Sequence, residues 1–225
     1  ECWLPSHPVA RFASYRHESC EGIDNTIARE VRPLDIVAIS MASFKFIEEV
    51  QSSDILSVFN GAFQYYYGRA TRKERVERYL ALLRKYRHIA LSRNATLLIL
   101  GDSMFLGANG NACVPTILTP NAGQKCERSR EWVDSHGSYL RHELTVLAEG
   151  PGVLFFDPRH LFCDNRTCGA MIPGTKTLAF WDYHHWNKAG SLYVWPFLCS
   201  FLSEAGLLIP RNSSVIRPQA KKMLL

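Results

Sequence analysis

The chain has 225 residues, 47% hydrophobic and 21% charged, with 26 lysines and arginines against 21 acidic residues and a formal net charge of +5. That is enough chain for one globular domain with a substantial core, and it argues against a disordered chain or a second large domain. No apolar run approaches the length of a membrane-spanning helix, and a mild charge gathered mostly in the 69–93 segment and the 211–222 tail argues against nucleic-acid binding.

The boundaries read as one domain over 1–208 followed by a polar, basic tail over 209–225. The first residue is Glu and no basic, apolar signal region precedes the domain, so the chain is expected to be excised from a longer precursor or incomplete at its start.

In chain order, Leu34 to Ser40 is a short apolar run after Arg32-Pro33, as expected of a strand buried on both faces of a parallel sheet. An amphipathic helix comes next. Thr71 and Glu74 have capping-box spacing, Val76, Tyr79, Leu80 and Leu83 form the apolar stripe, and the many arginines form its solvated face. Thr96 to Leu100, ending at Gly101, is a second strand, and Gly152 to Phe156, ending at Asp157-Pro158, is a third. Between them Glu127 to Leu147 reads as one helix despite Gly137, with Trp132, Tyr139, Leu140, Leu144 and Leu147 inward. The last helix, Lys188 to Gly206, places Leu192, Trp195, Leu198, Phe201 and Leu202 on its apolar side. Strand and helix alternate throughout, which predicts an α/β three-layer fold with a parallel sheet, its functional residues in loops beyond the carboxyl ends of the strands.

Asp182 stands three residues before His185, at the mouth of that last helix. At this spacing the carboxylate can accept a hydrogen bond from one imidazole nitrogen and leave the other to take a proton from a hydroxyl, which is two thirds of a catalytic triad. The competing reading is helix capping, since Asn187 is a good N-cap and Asp and His are common in such turns. Trp181, Tyr183 and Trp186 surround the pair, either as a wall for stacking sugar rings or as ordinary packing. A nucleophile is offered by Ser103 in Gly101-Asp102-Ser103, a Gly-Asp-Ser of the kind found in serine esterases. The alternative is a plain Gly-Asp turn after a core strand, and Gly107, Asn109, Gly110 and Cys113 make the next segment a loop instead of a helix.

Six of the seven cysteines fall into close sequence pairs, Cys2 with Cys20, Cys113 with Cys126 and Cys163 with Cys168, leaving Cys199 over. With no C-x2-C pair, and no histidines at ligand spacing beside the cysteines, a disulfide framework is expected and a metal site is not; no cofactor is called for either. Acceptor sequons at Asn94, Asn165 and Asn212 agree with an oxidising, glycosylating compartment, so the domain is expected in an extracytoplasmic or lumenal space.

Taken together, the central strand Asp35-Ile36-Val37, Leu98-Ile99-Leu100-Gly101-Asp102 followed by Cys113 and Cys126, and then Asp157-Pro158, Cys163, Cys168 and Asp182-x-x-His185 resemble the SGNH hydrolase-like domain fused to membrane acyltransferase-3 proteins. The resemblance runs from about Cys2 to Leu207. It implies a flavodoxin-like three-layer sheet with helices on both faces, a sugar or acylated-glycan substrate, an upstream acyltransferase-3 membrane domain as partner, and Asp182 and His185 as orienting acid and general base. It also implies that the nucleophilic Ser belongs to a Gly-Asp-Ser block on a first strand that lies ahead of these residues, so that Ser103 falls on a later strand. The family's Gly-x-Asn-Asp block is absent after Ile39, where Ser40-Met41-Ala42-Ser43 stands. Three readings stay open: an esterase or O-acyltransferase working through an acyl-enzyme, a non-catalytic domain that binds glycan or docks on a membrane acyltransferase, and a plant-type polysaccharide O-acetyltransferase or esterase with a similar D-x-x-H-W block.

Overall fold

The structure is a computed structural model, and it describes residues 28–40, 71–103, 110–114, 116, 122, 126–135, 137–182 and 185–207. Cys2, Cys20, Asn212, Tyr183 and the basic tail lie outside the described residues.

Among the described residues three strands form a parallel sheet in the order β1 (Ile36–Ser40), β2 (Thr96–Leu100), β4 (Val153–Phe156). Ile36 pairs with Thr96 and Ser40 with Leu100; Leu97 pairs with Val153 and Leu100 with Phe156. All three carboxyl ends therefore share one edge. Because side chains alternate along a strand, each run feeds two cores. Val37, Ile39, Leu97, Ile99, Val153 and Phe155 pack with α1 (Arg72–Ser92) and α3 (Ser138–Ala148), whereas Ile36, Ala38, Leu98, Leu100, Leu154 and Phe156 pack with α4 (Lys188–Glu204). Helix, sheet, helix is the resulting layering, and it explains why each strand is apolar on both faces. Leu34, expected as the first strand residue, is instead an exposed turn residue with positive φ, and pairing starts two positions later at Ile36.

α1 begins where its sequence says it should. The Thr71 hydroxyl accepts from the Glu74 amide and the Glu74 carboxylate accepts from the Thr71 amide at 2.6 Å, and this backbone bond holds the Glu74 carboxyl below the usual range. Val76, Tyr79, Leu80 and Leu83 are all buried. Asn94 closes the helix in the left-handed conformation, and its carbonyl accepts from the Leu34 amide, tying β1 to β2.

The expected single helix over Glu127 to Leu147 is corrected to three pieces. β3 (Arg128–Ser129) pairs antiparallel with β5 (Thr167–Cys168), α2 (Arg130–Ser135) comes after it, and α3 starts only at Ser138. Gly137 takes φ +67°, a conformation that interrupts a right-handed helix, and the new phase leaves Tyr139 exposed while Leu140, Leu144 and Leu147 stay buried. The apolar side of α4 is likewise rotated from the expected one. Gly190, Val194 and Leu202 are buried and Tyr193, Leu198 and Phe201 pack beside them, but Leu192 and Trp195 face out.

Among the described residues there are two disulfides, Cys113–Cys126 and Cys163–Cys168, and Cys199 is a free thiol that burial pushes up in pKa. No described helix is long and apolar enough to cross a membrane.

Candidate active site

The segment that carries Asp182 and His185 is fixed from both sides before either side chain is considered. Ala179, fully buried, donates its amide to the Ala170 carbonyl and accepts from the Asn187 amide; Phe180, also fully buried, pairs with Trp186 in an antiparallel bridge; and the Trp181 amide donates to the His185 carbonyl at 2.7 Å. Asn187 then starts α4, its side-chain oxygen accepting from the Gly190 amide at 2.9 Å and its side-chain nitrogen donating to the Leu178 carbonyl at 2.7 Å. Asn187 is therefore an N-cap, as the capping reading has it, and it caps the helix without help from Asp182.

Both oxygens of the Asp182 carboxylate engage His185. One accepts from the His185 backbone amide at 2.8 Å and the other lies 2.7 Å from its Nδ1. An ionised carboxylate only accepts, so the neutral imidazole must carry its proton on Nδ1, and Nε2 keeps the lone pair. The imidazole is 65% exposed and the carboxylate 26%. A half-buried carboxylate bonded to Nδ1 of an exposed imidazole is an arrangement whose chemistry, with the ring neutral, is proton acceptance at Nε2.

The loop rests on the segment that leaves β4. Trp186 packs on Phe162, which also contacts Phe180 and Tyr193, and the Tyr193 hydroxyl donates to the Leu161 carbonyl at 2.9 Å. Phe162 belongs to the 3-10 turn Arg159–Phe162, which comes directly after β4 and Asp157-Pro158. Asp157 anchors that turn by accepting from the backbone amide of Arg159 and from its guanidinium Nε at 2.9 Å. Burial alone would raise the Asp157 carboxyl, but the Arg159 guanidinium outweighs it and holds the carboxyl below the usual range.

Ser103 leaves the carboxyl end of β2, the middle strand of the three. Gly101 continues the ladder, its amide donating to the Phe156 carbonyl at 2.8 Å, and a Cβ there would press on that carbonyl and on the Phe155 ring. That close approach accounts for the glycine by packing. Ser103 and Asp102 are half-buried just beyond it. Asn94 and Asn165 are exposed. Among the described residues no group of three or more His, Cys, Asp or Glu is arranged to hold a metal ion.

Of the aromatics around the pair, Trp186 is turned inward onto Phe162 whereas Trp181 is 68% exposed, so these two do not share one wall. Sequence reasoning missed the Ala179–Asn187 scaffold that ties the two ends of the loop together, because its bonds are made by backbone groups that any residue carries.

A family model described as an SGNH domain (fused to AT3 domains) matches residues 6–198. No curated protein matches the chain. Among solved structures it is similar to the periplasmic domain of a lipopolysaccharide acetyltransferase from Salmonella ser. Paratyphi A, at 12% identity and a TM-score of 0.48, over 84% of this chain and 62% of that one. The chain thus spans less than two thirds of that domain's length.

Proposed function

From the premise that this chain belongs to the SGNH domains that occur fused to AT3 domains, we propose that it is an acyl-ester domain acting on carbohydrate O-acyl groups, with His185 as general base and Asp182 as the residue that orients it. The observation that carries the reading is the doubly anchored pair, in which one Asp182 oxygen holds the His185 backbone and the other its Nδ1.

In this mechanism Nε2 of His185 takes the proton of a serine hydroxyl as its oxygen attacks the ester carbonyl, giving a tetrahedral oxyanion. Collapse expels the alcohol, which is protonated by the imidazolium, and leaves an acyl-enzyme; water or a sugar hydroxyl, deprotonated by the same Nε2, then releases the acyl group. Water makes the domain an esterase and a sugar hydroxyl makes it an acyltransferase. Ser103 is this chain's candidate for the hydroxyl, just past the carboxyl end of β2, which and not β1 is the middle one of the three described strands; this is the edge at which sites of parallel α/β sheets form. The two disulfides support an oxidising, extracytoplasmic setting, and the family's fusion partner supports an acyltransferase-3 domain as the neighbour with which it works.

The test is turnover of acetylated xylo-oligosaccharide or p-nitrophenyl acetate by the oxidised chain and by His185→Ala. General-base assistance is worth on the order of 100- to 10,000-fold, so a drop of that size is expected. Equal turnover by both proteins would remove His185 from the chemistry.

A further inference from the structure

The aromatics beside the pair differ in how they are rooted. Trp186 is turned into the molecule, where its ring packs on Phe162 and its indole nitrogen is buried. Trp181 does the reverse. Its predecessor Phe180 is fully buried and bridged to Trp186, so alternation drives the next side chain outward, and its amide is bonded to the His185 carbonyl at 2.7 Å. The indole therefore stands on a backbone stitched to that of the base, one residue before Asp182, and is 68% exposed.

Single exposed apolar residues are ordinary; a rigidly rooted, exposed indole adjoining a presented base is a more particular arrangement. Its surroundings select the ligand. An acyl chain needs apolar walls on several sides, whereas the described residues joined to Trp181 here are polar: Asp182, next in the chain, and the exposed His185, whose carbonyl accepts its amide. A pyranose ring has one face rich in C–H groups, which can lie flat on an indole, and a rim of hydroxyls that stays hydrated or bonds to polar neighbours. We propose that Trp181 is a stacking platform for a sugar ring, forming the subsite next to His185. The position of the reacting group rests on the acyl-transfer reading; the platform itself is a binding site and is tested by binding.

The experiment tracks the indole N–H resonance of Trp181 in the 15N-labelled, disulfide-intact chain, assigned by its loss in Trp181→Phe, during titration with xylotetraose, chitotetraose, mannotetraose and, separately, octanoate. At least one saccharide is expected to shift it saturably, and the affinity read from backbone amide shifts in the same titrations is expected to fall roughly tenfold or more in Trp181→Ala and to be largely kept in Trp181→Phe. Absence of any saccharide-induced shift up to about 20 mM, or a shift with octanoate alone, would overturn the proposal. Because turnover is not read, a chain that binds sugar without acyl transfer would sink the proposed reaction and leave the platform standing, and the opposite result would do the reverse.

Discussion

Gly190, in the first turn of α4, lies so close to Ala179 that a Cβ added at 190 would overlap the Ala179 carbonyl oxygen. The start of the helix is thereby pressed against the segment that leads into Asp182. Gly190→Ala must push the helix away from backbone that cannot yield, and overpacking of this kind destabilises by about 1–3 kcal/mol. Urea unfolding should show that loss, and turnover by the fraction still folded should fall with it, since Asp182 and His185 belong to the stretch of chain that joins Ala179 to Gly190.

Asn187 has two bonds to lose, one to the Gly190 amide and one to the Leu178 carbonyl. Asn187→Ala is expected to destabilise by about 1–2 kcal/mol, the upper range for an N-cap. Asn187→Asp keeps the acceptor for Gly190 but loses the donor to Leu178, so its urea midpoint should fall between wild type and the alanine variant.

The disulfides should contribute through the loops they close. Loop entropy gives about 3 kcal/mol for Cys113–Cys126, with a sequence separation of 13, and about 2 kcal/mol for Cys163–Cys168, with a separation of 5. The paired Cys113→Ser, Cys126→Ser variant should therefore unfold at lower urea than the Cys163→Ser, Cys168→Ser variant. The reverse order would assign a greater role to the turn after β4 than its loop length provides.

Asp157 and Arg159 set the acid limit of that same turn. Since the folded carboxyl sits below the usual range, the pair's stabilisation is present above the unfolded carboxylate value of roughly 4 and is lost as pH falls through the folded value. Asp157→Asn, which removes the charge that the Arg159 guanidinium pairs with here, is expected to cost about 1–3 kcal/mol at neutral pH and to flatten the fall of the urea midpoint below about pH 4.

The three strands, the capping box of α1 and the Asp182–His185 spacing were legible because each is written in local chemistry: apolar runs of strand length, a Thr and a Glu three apart, a carboxylate within reach of a ring. The facing of α4 was not. Between Lys188 and Glu204 it carries no charged residue, so hydrophobicity alone sets no phase, and Gly190, which must be inward for steric reasons, gives no apolar signal. The break at Gly137 was visible as a residue but not as a conformation, because the two-residue pairing of β3 with β5 that precedes it is too short to register in a sequence. The division between Trp181 and Trp186 was equally silent, since it depends on a bridge between Phe180 and Trp186 that closes only when the loop folds.

The central claim is that Asp182 and His185 activate a serine, and labelling by a fluorophosphonate tests it most directly. The oxidised chain, Ser103→Ala, Asp182→Asn and His185→Ala would be treated in parallel and the adduct mapped by mass spectrometry. The expected result is a serine adduct that forms on the order of 100-fold or more slowly in His185→Ala and is slowed in Asp182→Asn, with its loss in Ser103→Ala identifying the nucleophile. No serine adduct, or one that forms equally fast without His185, would contradict the claim.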